Sequence, residues 1–515
     1  MRFVAAAAVV LALVGAGIAV AKLRSTPEKP PIVFVVFDAL PESMLMKPGG
    51  ELDAERFPGF AELASDSTWY RNATTVHDST IKSIPAMLDG RWPSNLRRPL
   101  VGDHPVNLFT LLRRDYRIWA DEEGTQLCPR TVCKQKRARL LYLLHGQRQQ
   151  RFAAALSQIG APSKDKRPPL WFVHVLLPHE PLRFLPSGKV YEGGSDPEAG
   201  LDGNESFDNA FLTHQAEQRH LLQLRYTDTL VHRLVQRLRS TGLYDKTLVV
   251  VTADHGMSFQ VKGSPAEPYR VGEIGWRRDM TGRNAQDVAF VPLFVKKPGQ
   301  SDSKIDDSWV RTLDILPTIL RQAQAKKVPR AVAGRALGER ASAPAELEVL
   351  TNRAGLLEVK PSVLLRGRDA TIAERAQRFG TGADVGRIFR IGPNTGLIGR
   401  AITSFPADDE VVANPPRARF WGARRFLDVD LRGRRVPANV IGWLDGTKAG
   451  GRDLAVAVNG RIAAVGQSFK PLGSTRMEFS LMVPQSAFRQ GFNDVRLYQV
   501  ADGSQLAELG RTPRR

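Results

Sequence analysis

Four short runs of apolar, β-favouring residues recur along the first three hundred residues of the chain. They occupy residues 32–37, 170–177, 247–252 and 291–295. Uninterrupted apolar runs of this length are typical of strands that are buried on both faces of a parallel sheet. The pattern therefore predicts a central parallel sheet in this part of the chain.

A helical pattern separates the second of these runs from the third. Its apolar stripe consists of Leu230, Val231, Leu234, Val235 and Leu238. Residues at this spacing share one face of a helix, and Gly242 follows them as a stop signal. Strands that alternate with helices predict an α/β fold.

Aspartate and histidine side chains, which can bind metals or transfer protons, follow three of the predicted strands. Asp38 comes after the first run, His179 after the second, and Asp254 and His255 after the third. In open α/β sheets, ligands bind at the carboxyl ends of the strands. We therefore expect these four side chains to lie near one another.

The segment "DSTIKSIPAMLDG" at residues 78–90 begins with three polar residues. Asp78, Ser79 or Thr80 is able to cap a helix through a side-chain oxygen, and Gly90 suits the left-handed position after its end. On local grounds this is an ordinary capped helix. The segment alone leaves open whether one of its hydroxyls is a nucleophile.

The pattern changes in the last third of the chain. From about residue 366 the sequence is rich in glycine and arginine, and residues 417–500 contain short alternating segments separated by turn residues. This alternation predicts a second, smaller β-rich domain, with a sandwich as the expected form. We divide the chain into an α/β domain at residues 30–335, a connecting region at 336–415 and the β-rich domain at 416–515.

Residues 1–29 form a separate N-terminal unit. Residues 4–21 are apolar and uncharged, Arg2 precedes them, and the Ala19-Val20-Ala21 sequence has the form that signal peptidase accepts. The run is also just long enough to span a bilayer if it is not cleaved. Either a signal peptide or a membrane anchor predicts that the rest of the chain is exported.

The chain carries a formal net charge of +20, mostly from dispersed arginines. Such a charge favours anionic partners, including lipid surfaces, acidic polymers and phosphorylated substrates. We find none of the sequence signatures of nucleic-acid recognition and expect no nucleic-acid partner.

The chain has only two cysteines, Cys128 and Cys133. In an exported protein this spacing favours a local structural disulfide, because a metal site would need more ligands than two thiols.

Asp38, Asp254 and His255 are suited to hold a divalent metal. Carboxylates and imidazole without thiolates favour zinc or manganese, with calcium or magnesium as alternatives. Each residue taken alone has an ordinary explanation, since an aspartate after a strand is often a helix cap and "DHG" is compatible with a turn.

Together, six ordered motifs resemble the sulfatase-like branch of the alkaline phosphatase superfamily over residues 30–329. They are "FVVFDAL", "TIKSIPAMLDG", "LWFVHVLLPHEP", "YDKTLVVVTADHG", "VPLFVKKPGQ" and "RTLDILPTIL". The resemblance implies an alkaline-phosphatase-like α/β sandwich, with helices on both faces of the sheet. It also implies that Thr80 is the nucleophile and a metal ligand beside Asp38, Asp254 and His255, and that His179 contacts the anionic group of the substrate.

The same resemblance shows a departure from true sulfatases, which convert a cysteine or serine into an aldehyde. Thr80 cannot form that aldehyde, and Lys82 and Ile84 replace the proline and arginine of the sulfatase signature. A sulfated threonine would have no elimination route, whereas a phosphorylated threonine can pass its group to water or an alcohol. We therefore favour a phosphodiesterase or phosphotransferase over a sulfatase, and keep a non-catalytic protein that binds anionic polymer as a third hypothesis.

Other residues are weaker candidates for the site. Lys82, Lys262 and Arg278 are proposed to neutralise substrate oxygens, although Lys82 is equally well explained as a solvated side chain. Asp228 and His232 share a helix face and suit a second metal, but a structural role is favoured. His174 is expected to be a satisfied core residue, His77 to lie near the pocket, and Asp314 to cap a helix.

Overall fold

The computed structural model describes residues 28–133, 147–191, 209–261, 277, 279–326, 328–338, 342–405, 415–447, 451–471, 474–501 and 505–513. The strands are β1 (Ile32–Asp38), β2 (Met46–Lys47), β3 (Glu51–Leu52), β4 (Thr68–Tyr70), β5 (Ala73–Thr74), β6 (Arg117–Asp121), β7 (Pro169–Pro178), β8 (Leu248–Ala253), β9 (Leu293–Lys296), β10 (Lys304–Asp306), β11 (Val310–Arg311), β12 (Leu347–Thr351), β13 (Gly355–Val359), β14 (Arg417–Phe420), β15 (Asn439–Asp445), β16 (Asp453–Val458), β17 (Arg461–Gln467), β18 (Met477–Met482), β19 (Val495–Ala501) and β20 (Gln505–Arg511). The α-helices are α1 (Pro58–Ala64), α2 (Thr80–Asp89), α3 (Leu108–Leu112), α4 (Gln147–Gln158), α5 (Ala210–Ser240), α6 (Ala285–Val288), α7 (Ile315–Gln322) and α8 (Pro361–Phe379).

A seven-stranded sheet organises the first part of the chain, in the order β10-β4-β9-β8-β1-β7-β6. The four predicted strands are β1, β7, β8 and β9, so the α/β fold is confirmed. β1 runs parallel to both β7 and β8, whereas β9 runs antiparallel to β4 and β8. The sheet is therefore mixed, with a parallel centre.

Both faces of this sheet are covered, as the apolar runs predict. Val33, Val35 and Phe37 of β1 belong to a core that includes α1 and α5, whereas the alternate residues of β1 pack with α2, α3 and α7. Because successive side chains of a strand point to opposite faces, one continuous apolar run supplies two cores. Helices on both faces are thus confirmed.

The last hundred residues form two antiparallel sheets, confirming the β-rich C-terminal part. One has the order β14-β15-β18 and the other the order β17-β16-β19-β20. Both sheets contribute to the core on the face of the central sheet that α1 and α5 cover. The contributing residues include Val440 and Leu444 of the first sheet and Leu454 and Val456 of the second. The C-terminal sheets therefore share a core with the central sheet.

Helix α8 lies in the predicted connecting region and buries two arginines. Arg375 donates to Glu217 Oε1 at 2.9 Å, and Arg368 lies 3.2 Å from Glu42 Oε2. This helix was not predicted from the sequence. It attaches the connecting region to the central domain through buried ion pairs.

The structure tests the predicted disulfide but not the predicted N-terminal signal peptide or anchor. Cys128 and Cys133 are joined by a disulfide, with their Cα atoms 5.9 Å apart, so the bridge is confirmed. Among the described residues no helix is long and apolar enough to cross a membrane. The apolar run at residues 4–21 lies outside the described residues, so its role stays a prediction.

Candidate active site

The carboxyl ends of the three central strands bring the predicted residues together. Asp38 ends β1, Asp254 and His255 follow β8, and Thr80 is the first residue of α2. Thr80 Oγ1 lies 3.3 Å from Asp38 Oδ2 and 3.3 Å from His255 Nε2. His255 Nε2 lies 3.5 Å from Asp254 Oδ2 and 3.8 Å from Asp38 Oδ1. One hydroxyl, one imidazole and two carboxylates therefore face a common point.

The hydroxyl residues at the start of α2 have separate roles. Ser79 occupies the N-cap position, but its side chain makes no capping hydrogen bond, whereas Ser83 Oγ donates to the carbonyl of Asp254 at 2.8 Å. Thr80 alone directs its oxygen at the carboxylates. At the other end of the helix, Gly90 adopts φ 66° in the left-handed region, as the sequence predicts.

Hydrogen bonds from the backbone hold the segment before α2 in place. Asp78 accepts hydrogen bonds from the amides of Met280 and Asn352, each at 3.0 Å. His77 is buried, and its Nδ1 accepts from the amide of Ser79 at 3.0 Å. These contacts fix the direction in which Thr80 enters the site.

The backbone also orients Asp254. Its Oδ1 accepts from the amide of Ala39 at 3.2 Å and from the amide of His255 at 2.7 Å, so Oδ2 remains on the side of the hydroxyl. Ala39 has φ 57°, an unfavourable left-handed conformation for a residue other than glycine. A Cβ atom on Gly256 would lie 2.0 Å from the carbonyl oxygen of Asp287. The "DHG" turn therefore requires its glycine.

Three imidazole rings around Asp38 share one orientation. Nδ1 of His174, His179 and His255 is within hydrogen-bond distance of the carbonyls of Glu123, Glu180 and Gly256, at 2.6, 2.7 and 2.8 Å. A carbonyl oxygen can only accept, so Nδ1 carries the proton in each neutral ring. Each Nε2 then presents a lone pair, at 3.7, 4.0 and 3.8 Å from an oxygen of Asp38.

This arrangement of lone pairs fits a divalent cation. Asp38, His174 and Asp254 offer ligand atoms that all lie within 4.8 Å of one another. His174 Nε2 is buried and has no hydrogen-bond partner in the described part of the chain. Metal-binding histidines typically donate their second nitrogen to a carbonyl, as these three rings do. The residues present therefore fit a metal held by carboxylates and imidazole.

Electrostatics supports the same interpretation. Burial raises the pKa of Asp254 above its usual value, and the charge of Asp38 raises it further. Two carboxylates buried side by side are unfavourable unless a proton or a cation compensates them. A bound divalent cation would relieve that repulsion.

The expectation for His174 was wrong. It lies inside an apolar strand and is buried, as a core residue would be, but its Nε2 faces the carboxylates. His174 lies on β7, five residues before His179, and this spacing is not one that indicates a pair of metal ligands. Only the register of β1 against β7, which pairs Val36 with His174, brings the ring to the site.

Two residues missed in the sequence hold the loop of His179. Arg148 donates to the carbonyl of His179 at 2.8 Å, and Gln223 of α5 donates to the same oxygen at 2.8 Å. An arginine and a glutamine on distant helices give no local signal of such a role.

The proposed basic substrate contacts have different positions. The ammonium group of Lys82 donates to the carbonyls of Ser94, Asn95 and Arg97, at 3.2, 2.9 and 2.6 Å. Its three donors therefore hold a loop. Lys262 and Arg278 lie outside the described residues, so their role stays a prediction.

The suggested second metal pair is not assembled in the structure. Asp228 Oδ1 accepts from the amide of Phe60 at 2.8 Å and so supports the start of α1, whereas His232 pairs with Glu62 at the surface. Asp314 accepts from the amides of Arg311 and Arg335 and stabilises the turn before α7. The structural roles favoured for Asp228, His232 and Asp314 are consistent with these contacts.

Comparison with protein families decides the classification. A family model described as "Sulfatase" matches residues 30–325. The chain belongs to the sulfatase family. The sequence-based resemblance to the sulfatase-like branch of the alkaline phosphatase superfamily is thereby confirmed, and membership supports an enzyme of the hydrolase and transferase type.

This sulfatase-family chain is similar to curated proteins of several activities. It is 26% identical over 166 residues to "Multifunctional alkaline phosphatase superfamily protein PehA" of Trinickia caryophylli, covering 32% of this chain and 28% of that protein. It is 26% identical over 160 residues to "Extracellular sulfatase SULF-1 homolog" of Drosophila melanogaster, covering 31% and 11%. It is 23% identical over 158 residues to "Lipoteichoic acid synthase" of Staphylococcus saprophyticus, covering 31% and 21%. Each match spans less than a third of the relative's length.

Two solved structures are similar to this chain at low identity. A putative sulfatase from Bacteroides thetaiotaomicron has a TM-score of 0.46 and 16% identity, over 68% of this chain and 93% of that one. A phosphonate monoester hydrolase from Silicibacter pomeroyi has a TM-score of 0.40 and 19% identity, over 69% and 83%.

Proposed function

We propose that this protein is an exported, metal-dependent phosphodiesterase or phosphotransferase that uses Thr80 as its nucleophile. Its substrate would be a phosphodiester of an anionic envelope lipid or polymer, as the net charge of +20 favours. The observation that carries this proposal is the position of Thr80 Oγ1, 3.3 Å from both Asp38 Oδ2 and His255 Nε2. The apolar segment at residues 4–21 and the names of the extracellular and lipoteichoic acid relatives support export to the envelope.

Asp38, Thr80, Asp254 and His255 would hold the cation, with His174 as a further ligand. Zinc or manganese is favoured by the mixture of imidazole and carboxylate donors, and calcium or magnesium is the alternative. When bound, the cation lowers the pKa of a neighbouring hydroxyl and withdraws charge from a phosphoryl oxygen.

The residues of the chain then carry out two displacements at phosphorus. Thr80 Oγ passes its proton to Asp38 Oδ2, to which it donates at 3.3 Å, and forms a bond to phosphorus while the bond to the leaving oxygen breaks. The product is an ester of Thr80 that retains the rest of the substrate. His179, whose Nδ1 is held by the carbonyl of Glu180, supplies a proton from Nε2 to the leaving oxygen in its imidazolium form. Water or an alcohol next attacks phosphorus and gives its proton to His179. The bond from phosphorus to Thr80 Oγ breaks, and Oγ regains its proton from Asp38.

A sulfuric ester hydrolase is the main alternative, because the chain belongs to the sulfatase family. The residue at the nucleophile position disfavours it, since a threonine cannot be oxidised to the aldehyde that expels sulfate. A non-catalytic protein that binds anionic polymer is a third possibility. The convergence of a hydroxyl with two carboxylates and three imidazoles weighs against it, because a binding surface does not require this set.

The test uses the full chain, loaded with zinc or manganese, and two substrates in separate incubations. With bis(p-nitrophenyl) phosphate we expect release of p-nitrophenol and an intact-mass increase of one nitrophenylphosphoryl group on Thr80. Thr80→Ala should lose both signals, with the rate falling by at least about a thousandfold. Ser79→Ala, which removes the neighbouring hydroxyl, should remain within about twofold of the wild type, because that side chain makes no capping bond.

With p-nitrophenyl sulfate we expect neither release nor adduct. Sulfate release that depends on Thr80 would replace the proposal by the sulfatase alternative. Absence of turnover and of adduct with every metal tested would favour the non-catalytic alternative.

A further inference from the structure

The strongest unexplained feature outside the active site is a cavity between the two C-terminal sheets. Edge strand β14 of the three-stranded sheet packs beside edge strand β20 of the four-stranded sheet. A surface cavity of about 790 Å³ lies along this junction; it is open to solvent, and its charged lining residues are exposed. That volume is in the range of cavities that hold organic ligands and exceeds what a single ion needs.

The wall of this cavity is strongly basic. Four arginines line it, namely Arg417, Arg419, Arg476 and Arg511, against the two carboxylates Asp445 and Glu508. Arg419 pairs with Asp445 at 2.9 Å, and Arg511 lies 3.4 Å from Glu508. Arg417 and Arg476 have no carboxylate partner among the described residues. The cavity therefore carries an excess of two positive charges.

A tryptophan in a fixed orientation lies among these arginines. Trp443 is half-buried, and its indole N–H donates to Asp445 Oδ1 at 2.9 Å. The guanidinium carbon of Arg476 is 5.0 Å from the centre of the Trp443 ring. The ring is thus held before any ligand binds.

The strand register explains why these side chains share one face. Arg417 is paired with Asp445, and Arg419 with Trp443, across β14 and β15. Directly paired residues of neighbouring strands point to the same side of a sheet. Ala418 and Leu444 point to the opposite side and belong to the core. The basic face is therefore built into the pairing of two strands.

We propose that this cavity binds a segment of an anionic polysaccharide. Arginine forks recognise carboxylate, sulfate or phosphate groups with two parallel hydrogen bonds. Trp443 provides apolar surface for the ring of a sugar, which a bare ion would not use. The concave shape disfavours a flat lipid surface as the ligand. This site is separate from the proposed catalytic reaction and needs no turnover.

The experiment measures binding of the full chain to dextran sulfate, polygalacturonate and neutral dextran by affinity electrophoresis at about 0.15 M salt. The wild type should bind both anionic polymers and not neutral dextran. Arg417→Ala/Arg476→Ala should weaken binding by at least about tenfold. Trp443→Ala, which changes no charge, should also weaken binding by several-fold.

The matched control is Arg432→Ala/Arg435→Ala, which removes two exposed arginines of the same region. Because the chain is highly basic, any polyanion will be attracted to some extent, and this control measures that background. It should stay within about twofold of the wild type. Unchanged thermal unfolding of each variant shows that the fold is retained.

Three results would overturn the proposal. One is an equal loss of binding in the control double variant, which would mean unspecific attraction. Another is an unaffected Trp443→Ala variant in a fold that is intact. The last is binding to phosphatidylglycerol vesicles through Arg417 and Arg476 without binding to either anionic polymer.

Discussion

At the scale of single residues, the surroundings of chemically similar side chains decide their roles. Ser79, Thr80 and Ser83 lie within one turn of helix, yet only Thr80 directs its oxygen at two buried carboxylates. His174 and His179 lie on one strand or just after it, and both present Nε2 to Asp38. Residue type and spacing alone do not reveal these differences, because they depend on contacts with distant segments.

His174→Ala tests whether the unexpected histidine contributes to the metal site. We expect the affinity for zinc or manganese to fall by about 10- to 100-fold, since Nε2 of this residue lies 3.7 Å from Asp38 Oδ2 and within 4.8 Å of the other carboxylate ligand atom. Titration calorimetry of the metal-free protein measures this change.

The control for this variant is His232→Ala, which removes a histidine that pairs with Glu62 near the protein surface. Its metal affinity should equal that of the wild type. Equal affinities in all three proteins would show that His174 has no part in the site.

We expect the protein to lose stability in mild acid because His220 is buried in its neutral form. Burial lowers the pKa of this histidine from 6.5 to about 4, while its Nε2 donates to the carbonyl of Ala39 at 2.9 Å. The unfolded chain takes up the proton at higher pH than the folded chain, so stability falls as pH decreases from about 6.5 to 4. Between pH 7 and pH 5 the free energy of unfolding should drop by about 2 kcal/mol from this group.

Urea denaturation at the two pH values measures this drop for the wild type and for His220→Gln. The glutamine can still donate to the carbonyl of Ala39 but does not titrate, so its drop should be smaller. The same drop in both proteins would contradict the assignment. Acid sensitivity that remains in the variant is expected from His214, whose pKa burial also lowers to about 4.

At the scale of elements, continuous apolar runs were the reliable signal. They predicted β1, β7, β8 and β9, because strands buried on both faces need no polar alternation. They could not predict that β9 runs antiparallel, since periodicity contains no strand direction. Helix α8 was missed because its buried face includes Arg368 and Arg375, which pair with buried glutamates and mimic an exposed surface in the sequence.

The part of the site that could be predicted consists of residues directly at strand and helix ends. Asp38, Asp254, His255 and Thr80 all have such positions, so their convergence follows from parallel topology and the family resemblance. The orientation of the imidazoles could not be predicted, because it depends on the carbonyls of Glu123, Glu180 and Gly256. Their assigned roles in chemistry stay predictions.

Gly256→Ala tests the "DHG" turn as an element. The new Cβ would lie 2.0 Å from the backbone carbonyl oxygen of Asp287, which cannot move aside as a flexible side chain would. We expect a loss of at least about 2 kcal/mol in the free energy of unfolding, together with loss of metal binding.

Gly102→Ala is the matched control for this substitution, because no heavy atom lies within 4 Å of the added Cβ. It should leave metal binding unchanged and stability within about 0.5 kcal/mol of the wild type. A Gly256→Ala protein with normal metal affinity would show that the turn tolerates a side chain. Chemical denaturation and calorimetry measure the two properties.

At the scale of the whole molecule, one core joins the central sheet to the C-terminal sheets. Helix α5 packs on the central sheet, and near its start Gln215 and Arg219 donate to Ser480 of β18. A boundary near residue 416 therefore separates two patterns in the sequence without separating two cores. Sequence patterns record the periodicity of each element but not which elements share a core.

Truncation after residue 415 tests this shared core. The shortened chain would expose the apolar residues that pack against β15, β16 and β18, so we expect loss of the cooperative unfolding transition and increased binding of a hydrophobic dye. Circular dichroism and dye fluorescence measure this outcome. A truncated protein that unfolds cooperatively and binds metal like the full chain would show that residues 30–415 fold independently.

Helix α5 also connects the C-terminal sheet directly to the active site. Two of its consecutive residues, Arg219 and His220, donate to Ser480 of β18 and to the carbonyl of Ala39 after β1. A polymer long enough to occupy both the C-terminal cavity and the metal site would meet the second site at an effective concentration set by the separation of the two sites. Shorter oligomers would engage one site at a time. The activity of such a protein would then rise sharply above a threshold chain length, so that the length of its substrate would matter as much as its chemistry.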